Sequence, residues 1–306
     1  MPRFATIDVG TNSVLLLVAE RDESGRFVAV EEQAEITRLG RGVDQSRRLA
    51  PEAIEATLAV VERFVSTARG LGVSDLAISA TSAARDASNG ADFLSEAKRR
   101  TGVGIEIISG EEEARLSFAS AFSDFGGEGP LAVVDIGGGS TEVILGDQAG
   151  HITYRHSFDI GSVRLTERHV KADPPSESEL TAIDSAVARE LAALPRPPEG
   201  TRVVGIAGTV TTVFSVARRL EPYDARVVQG ATLDRREIEG AIATLAAVPL
   251  AARRTLPGLQ PKRADVIIAG ALVLRGVLDA LGANQVTVSD RGLRWGLLAD
   301  RFGARR

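Results

Sequence analysis

The sequence of 306 residues has no cysteine and only three histidines, His151, His156 and His169. The first absence excludes a disulfide framework and a thiolate-held metal. The histidines lack metal-ligand spacing, so any metal site must be built from carboxylates, hydroxyls and water. No apolar run approaches the ~20 residues that a membrane helix needs. The N-terminus enters a strand pattern directly, without the features of a secretory signal. The expectation is a cytoplasmic chain with no membrane partner. A formal net charge of −5 argues against nonspecific nucleic-acid binding. Basic residues nevertheless cluster at Arg47-Arg48, Lys98-Arg99-Arg100, Arg218-Arg219, Arg253-Arg254 and Lys262-Arg263. Most read as solvated helix ends, and some as candidates to line a path for a polyanion. What is present is ordinary globular composition, 44% hydrophobic and 25% charged. The length suits two domains.

The stretch from Leu131 to Gly146 reads LAVVDIGGGSTEVILG. Leu131–Val134 has the look of a buried strand that delivers Asp135 to its end. Gly137, Gly138 and Gly139 leave the backbone open to a ligand. Ser140 and Thr141 add hydroxyls, Glu142 adds a second carboxylate, and Val143–Leu145 returns as a strand. Inward N–H groups suit anionic oxygens. Carboxylates at the edge suit a hard cation such as Mg²⁺. The bland alternative is a tight hairpin without a ligand.

A second copy weighs against that alternative. Ile7 to Val14 reads IDVGTNSV, and Asp8, Gly10 and Ser13 repeat the order of Asp135, Gly137 and Ser140. Two such hairpins point to a duplicated domain, with a cleft between the copies and a carboxylate on each wall. Further strands are expected at Leu15–Glu20, Phe27–Glu31, Asp75–Ser79, Ile105–Ile108, Ile152–Phe158, Val203–Ala207 and Gln285–Ser289. A third strand and a loop are expected over Ile36–Gly42. Helices are expected over Pro51–Arg69, Gly90–Arg100, Gly110–Phe122, Ser176–Leu194, Asp234–Ala247, Lys262–Leu281 and Leu293–Phe302. Ser176 with Glu179 and Asp234 with Glu237 read as capping boxes. Ala80–Asn89 reads as a polar loop carrying Arg85. Asp124–Pro130 is the best hinge. Gly208 and Thr209 open a helix after a strand, a plausible phosphate contact. Glu111, Glu112 and Glu113 in a first turn complement the macrodipole on the ordinary reading. The pattern is a two-domain mixed α/β fold.

Several stretches together resemble the exopolyphosphatase / guanosine pentaphosphate phosphohydrolase (Ppx/GppA) family, within the actin, sugar kinase and heat-shock chaperone ATPase superfamily. They are Ile7–Ser13, Ala80–Asn89, Ile108–Leu116, Val134–Glu142, Gly161–Leu165 and Gly205–Thr212, in the family's order over nearly the whole chain. ATSAxR and GxEEAR are absent from the superfamily's kinases, whereas the glycine motifs mark only the superfamily. The resemblance implies two ribonuclease-H-like (actin-like ATPase) domains around a central cleft. The expected domains are 1–124 and 125–292, with the helix 293–306 packing back on the first. Thr11 stands where serine is more usual, and Ala207 where glycine is. Longer members carry a C-terminal domain with a His-Asp motif. This sequence has no His-Asp dipeptide and resembles the short form.

The resemblance also implies a chemistry. Glu113, the glutamate before Ala-Arg, falls on the family's catalytic carboxylate. Asp135 and Glu142 fall on its metal ligands, with Asp8 joining through water, and the expected cofactor is Mg²⁺ or Mn²⁺. Gly10, Thr11, Asn12, Ser13, Ser82, Gly137, Gly138, Gly139, Ser140, Thr141, Gly208 and Thr209 are the expected phosphate contacts. Arg85 is expected to fork two phosphate oxygens, against the alternative of a structural pair with a carboxylate. The expected substrate is inorganic polyphosphate or guanosine pentaphosphate, shortened with release of orthophosphate. A homodimer is allowed but not required. Two other readings stay open: a guanosine penta- or tetraphosphate-binding regulator, and an ATPase or kinase of the same superfamily.

Overall fold

In the computed structural model, which describes residues 1–303, both Asp-x-Gly stretches are strand–turn–strand hairpins. Each is the centre of one sheet. The chain divides into two compact units, residues 1–116 with 293–306, and residues 117–292.

Unit 1 contains β1 (Arg3–Val9), β2 (Ser13–Arg21), β3 (Phe27–Ile36), α1 (Val43–Ser46), α2 (Pro51–Gly70), β4 (Val73–Ala80), α3 (Ser82–Asp86), α4 (Gly90–Thr101) and β5 (Ile105–Ile107). The sheet order is β3-β2-β1-β4-β5. β1–β2 and β2–β3 are antiparallel, and β4 and β5 join in parallel. The core is made by Ile7, Leu16 and Val18 of the hairpin against Leu58, Phe64 and Val65 of α2 and Phe93 of α4. β3 runs unbroken to Ile36, so no separate strand follows it before α1. The expected loop over 80–89 holds the short helix α3, which carries Arg85 in its last turn.

Unit 2 contains β6 (Leu131–Ile136), β7 (Thr141–Gly146), β8 (Ile152–Phe158), α6 (Ser162–His169), α7 (Glu177–Glu190), β9 (Arg202–Ile206), α8 (Ala207–Arg218), α9 (Ala225–Val228), β10 (Thr232–Asp234), α10 (Arg235–Ala246), α11 (Leu250–Arg253), α12 (Ile267–Leu281) and β11 (Gln285–Val288). Read from β8, the order is β8-β7-β6-β9-β11-β10, the order of unit 1 with one edge strand added. The pairing directions match as well, antiparallel in the hairpin and parallel to β9 and β11. β6 and β7 are buried along their whole length, as expected for strands covered on both faces. α12 is apolar almost all round, and Ile267–Leu274 are all buried. Its expected start at Lys262 moves to Ile267, because the chain first makes a 3₁₀ turn at Pro261–Arg263. Both capping boxes form, on α7 and α10.

The helix α5 (Gly110–Phe125) passes through the division between the units, at Leu116/Ser117. The glycine-rich stretch after it is a turn within unit 2. The reason is which residues each half of α5 buries. Leu116 packs with Ile108, Leu293 and Leu297 in unit 1. Phe118 lies on Gly146 in unit 2, where any Cβ would fall 2.2 Å from the ring. The helix α13 (Leu293–Phe302) belongs to unit 1. Trp295 and Leu298 pack on Leu17 and Ala19 of β2, and Thr6 Oγ1 donates to Arg294 O at 2.9 Å. Residues 304–306, the end of the expected 293–306 segment, lie outside the described residues. Among those described, no helix is long and apolar enough to cross a membrane.

Candidate active site

The two hairpin turns are built alike. Gly10 N–H donates to Ser13 O at 2.9 Å, and Gly137 N–H to Ser140 O at 3.0 Å. The N–H groups of Gly10 and Gly137 are therefore used to close the turns. The carbonyls of the following residues are used too. In unit 1, Gly40 N–H donates to Thr11 O at 2.8 Å, and Thr37 and Arg38 N–H both donate to Asn12 O. In unit 2, Ser162 N–H donates to Gly137 O, and Val163 and Arg164 N–H both donate to Gly138 O. Among the described residues, nothing accepts from the N–H groups of Thr11, Asn12, Gly138 or Gly139. With their carbonyls tied back, these are the donors each turn offers to an anion.

Around the first turn, Thr11 Oγ1 and Ser82 Oγ lie 2.9 Å apart and both residues are buried. Ser82 opens α3. From the end of that helix, Arg85 Nη1 donates to Ile108 O at 3.0 Å and to Glu113 Oε2 at 3.3 Å. The alternative weighed for Arg85, a pair with a carboxylate, is realised, and its partner is Glu113. Only 8% of Glu113 is exposed. Its neighbour Glu112 turns elsewhere: Arg115 grips it with two bonds of 2.8 and 2.7 Å, and Arg115 also reaches Asp300 at 2.6 Å. Glu111 is exposed. The three acids thus have three environments, and Glu113 alone is buried, beside the Arg85 guanidinium. Asp8, at the end of β1, is half-buried and opposes Ser79 of β4 in register.

In unit 2 the register pairs Asp135 of β6 with Glu142 of β7. Facing residues of an antiparallel pair share one side of the sheet. Exposure is 7% for Asp135 and 1% for Glu142. Ser117 Oγ donates to Asp135 Oδ2 at 2.7 Å, and Ser157 Oγ to Glu142 Oε1 at 2.6 Å. Burial pushes the Asp135 carboxyl up to about 6, against the opposing pull of the Ser117 hydrogen bond. Two desolvated acids on one face repel unless a proton or a cation lies with them. Their donor set fits a hard divalent cation. No set of three or more His, Cys, Asp or Glu side chains comes together among the described residues. The rest of such a sphere would come from water and phosphate oxygens, as suits Mg²⁺. In unit 1 the position matching Glu142 is Leu15, which opposes Asp8 in register, so the duplication extends to only one carboxylate.

Some expected contacts prove to be committed elsewhere. Thr141 is fully buried and its Oγ1 donates to Ile160 O at 2.5 Å, so this hydroxyl serves the fold. Thr209 packs against α12, where a Cβ on Gly270 would fall 2.6 Å from its methyl. Ser140 is buried, and its Oγ has no protein partner among the described residues. Gly208 carries the guanidinium of Arg263 directly on its backbone: a Cβ there would lie 2.4 to 2.6 Å from three guanidinium atoms. Parallel pairing of Asp135 with Ile206 places this segment next to the Gly137 turn.

Four supports were not assigned from sequence. Arg164, 5% exposed, donates from Nε to Gly139 O at 2.6 Å and clamps the turn. Gly161 lets α6 approach so closely that a Cβ would meet Gly138 O at 2.4 Å. Ser117 and Ser157 hold the paired acids. The motif at Gly161–Leu165 was visible, but its role follows only from the contacts. The serines carry no sequence signal, since each acts across strands or from a helix.

The family model of the Ppx/GppA phosphatase family matches residues 17–304. The chain belongs to the Ppx/GppA phosphatase family. Among its relatives, Exopolyphosphatase 2 of Mycobacterium tuberculosis is 36% identical, with 99% of each chain covered. The Ppx/GppA family member of Aquifex aeolicus superposes with a TM-score of 0.82 at 33% identity, covering 98% of this chain and 97% of that one. An exopolyphosphatase of Cytophaga hutchinsonii reaches 0.88 at 25% identity, with 99% of each covered. The fold is the two-domain actin-like fold of these Ppx/GppA proteins.

Proposed function

We propose that this chain is an exopolyphosphatase, which hydrolyses the terminal phosphoanhydride of inorganic polyphosphate and releases orthophosphate. The observation that carries the reading is the environment of Glu113, buried and held by Arg85 while Glu112 is gripped by Arg115. The names of the relatives at full-length coverage support the same substrate.

Phosphoryl transfer to water needs placed oxygens and a positioned nucleophile more than covalent chemistry. The N–H groups of Thr11, Asn12, Gly138 and Gly139 bind phosphate oxygens, with the Ser13 and Ser140 hydroxyls beside them. Arg85 orients the Glu113 carboxylate, and its remaining N–H groups are donors for a phosphate oxygen. Glu113 accepts a proton from water as the water oxygen bonds to the terminal phosphorus. The anhydride P–O bond breaks, and its electron pair leaves with the shortened chain. Asp135 and Glu142 would hold Mg²⁺ or Mn²⁺, which when bound offsets charge on the phosphate oxygens. Guanosine pentaphosphate ends in the same anhydride group and offers the same oxygens to the same donors, which makes it the second substrate of this reading.

The test is orthophosphate release with Mg²⁺ from polyphosphate, guanosine pentaphosphate and ATP in separate reactions. Release from polyphosphate, lost in Glu113→Gln, is expected. Release from ATP alone would turn the reading to an ATPase, and binding of guanosine pentaphosphate without release would turn it to a regulator.

A further inference from the structure

A protein with net charge −5 must offer a polyanion a local positive surface. The structure sorts the basic clusters by what their side chains already do. Arg99 and Arg100 are held by Glu96 and Glu55. Arg218 pairs with Glu237. Arg253 is buried and donates to the carbonyls of Leu245, Val248 and Ala264. Arg263 lies on Gly208. Arg47-Arg48 differs: both are exposed, and neither makes an ion pair among the described residues. Arg41 is exposed and without an ion pair in the same way.

The segment that carries these three arginines is tied at its start to the first turn. Gly40, whose N–H holds Thr11 O, immediately precedes Arg41. The backbone at Arg47 and Leu49 is fixed to the link between α3 and α4. Ser88 N and Oγ both donate to Arg47 O, at 2.8 and 3.0 Å. The Asn89 side chain makes a double bridge to Leu49 N and O, at 2.8 and 3.0 Å. The same α3 carries Ser82 and Arg85. Arg47 also adopts φ +52°, a left-handed conformation that disfavours a side chain and that glycine would relieve. The acids on these elements are Asp44 and Asp86, fewer than the arginines they accompany.

We infer that Arg41, Arg47 and Arg48 form a track on unit 1 for the distal phosphates of a polyphosphate chain whose terminal phosphates occupy the Thr11–Asn12 turn. The inference rests on the proposed exopolyphosphatase reading. A fixed backbone under exposed guanidinium groups gives repeated phosphate contacts without ordering the chain anew. Such contacts lengthen the grip on a long substrate and add nothing for one that ends within the turn.

The test measures binding, so it does not depend on turnover. Long-chain polyphosphate and tripolyphosphate are titrated against the wild type, Arg41→Gln/Arg47→Gln/Arg48→Gln, and the matching triple lysine variant, at two salt concentrations. The glutamine variant is expected to bind the long chain at least about tenfold more weakly, with a salt slope lower by about 2, near 0.7 per lost phosphate contact. Tripolyphosphate affinity should change less than about twofold, and the lysine variant should stay close to wild type. The exposed positions should leave the melting temperature unchanged. Should it fall, Arg48→Gln alone, away from the left-handed residue, is read in the same titration. Long-chain binding within about twofold of wild type in the glutamine variant overturns the track. Wild-type binding without phosphate release would instead remove the exopolyphosphatase reading and leave the track to be judged on the titration.

Discussion

Glu113, Glu112 and Glu111 are chemically identical and adjacent, and only their surroundings separate them. Glu113→Gln keeps shape and hydrogen bonding but cannot accept a proton, so turnover should fall about 10²–10⁴-fold. Glu112→Gln loses an ion pair with Arg115 at the surface, costing at most about 1 kcal/mol of stability. Its turnover should stay near wild type, as should that of Glu111→Gln. Steady-state phosphate release checks all three, and loss of turnover in Glu112→Gln with Glu113→Gln active would reverse the assignment. Arg85→Gln removes a charged hydrogen bond to Glu113, and a drop of roughly 10- to 100-fold in turnover is expected. Asp135 adds a pH prediction. Its carboxyl ordinarily releases its proton near 3.8, and in the folded chain near 6. The folded state therefore binds the extra proton, and this stabilisation, complete below about pH 4, is lost as pH rises through about 6. A divalent cation held by Asp135 and Glu142 would reverse the loss by pairing with the ionised acid. Thermal melts should show a larger Mg²⁺-induced gain at pH 8 than at pH 5, and no such difference in Asp135→Asn. Equal gains at both pH values would count against a carboxylate-held metal.

At the scale of elements, close approach decides what is tolerated. Gly161→Ala drives a Cβ to 2.4 Å from Gly138 O. It should cost about 1–3 kcal/mol and lower phosphate affinity by displacing the turn, measurable by denaturant melts and product inhibition. Ala207, which stands where glycine is more usual in the family, has φ +68° at the start of α8. Ala207→Gly should raise stability by a few tenths to about 1 kcal/mol, the relief offset in part by a freer unfolded chain. An unchanged or lowered denaturation midpoint would contradict the strain. Much of this level was legible in sequence. The hairpins, α2, α4, both capping boxes and α13 follow from periodicity and caps long enough to be read. α1, α9 and α11 have four residues each, too short for a helical period to show. The turn at Pro261–Arg263 was absorbed into α12 because apolar content, not capping, set the expected start.

At the scale of the molecule, the repeated Asp-x-Gly-x-x-Ser order revealed the duplication. The structure extends it to strand order and to the hydrogen bonds that hold each turn. What the repeat could not show is which donors stay available. Gly10 and Gly137 looked like phosphate contacts, yet their N–H groups close the turns, and Thr141 serves the fold. The turn carbonyls and the Thr141 hydroxyl are held by partners far along the chain, such as Gly40 for Thr11 O, Ser162 for Gly137 O and Ile160 for Thr141. The division inside α5 was hidden for the same reason, since a glycine-rich stretch marks a turn but not which unit each half of a helix buries. The most direct measurement follows long-chain polyphosphate by ³¹P NMR with Mg²⁺ and enzyme, with and without chelator. Orthophosphate should grow as end-group signal persists and mid-length oligomers stay absent, and chelator or Glu113→Gln should stop it. Mid-length fragments, or release undiminished in excess chelator, would contradict terminal, metal-assisted hydrolysis by Glu113.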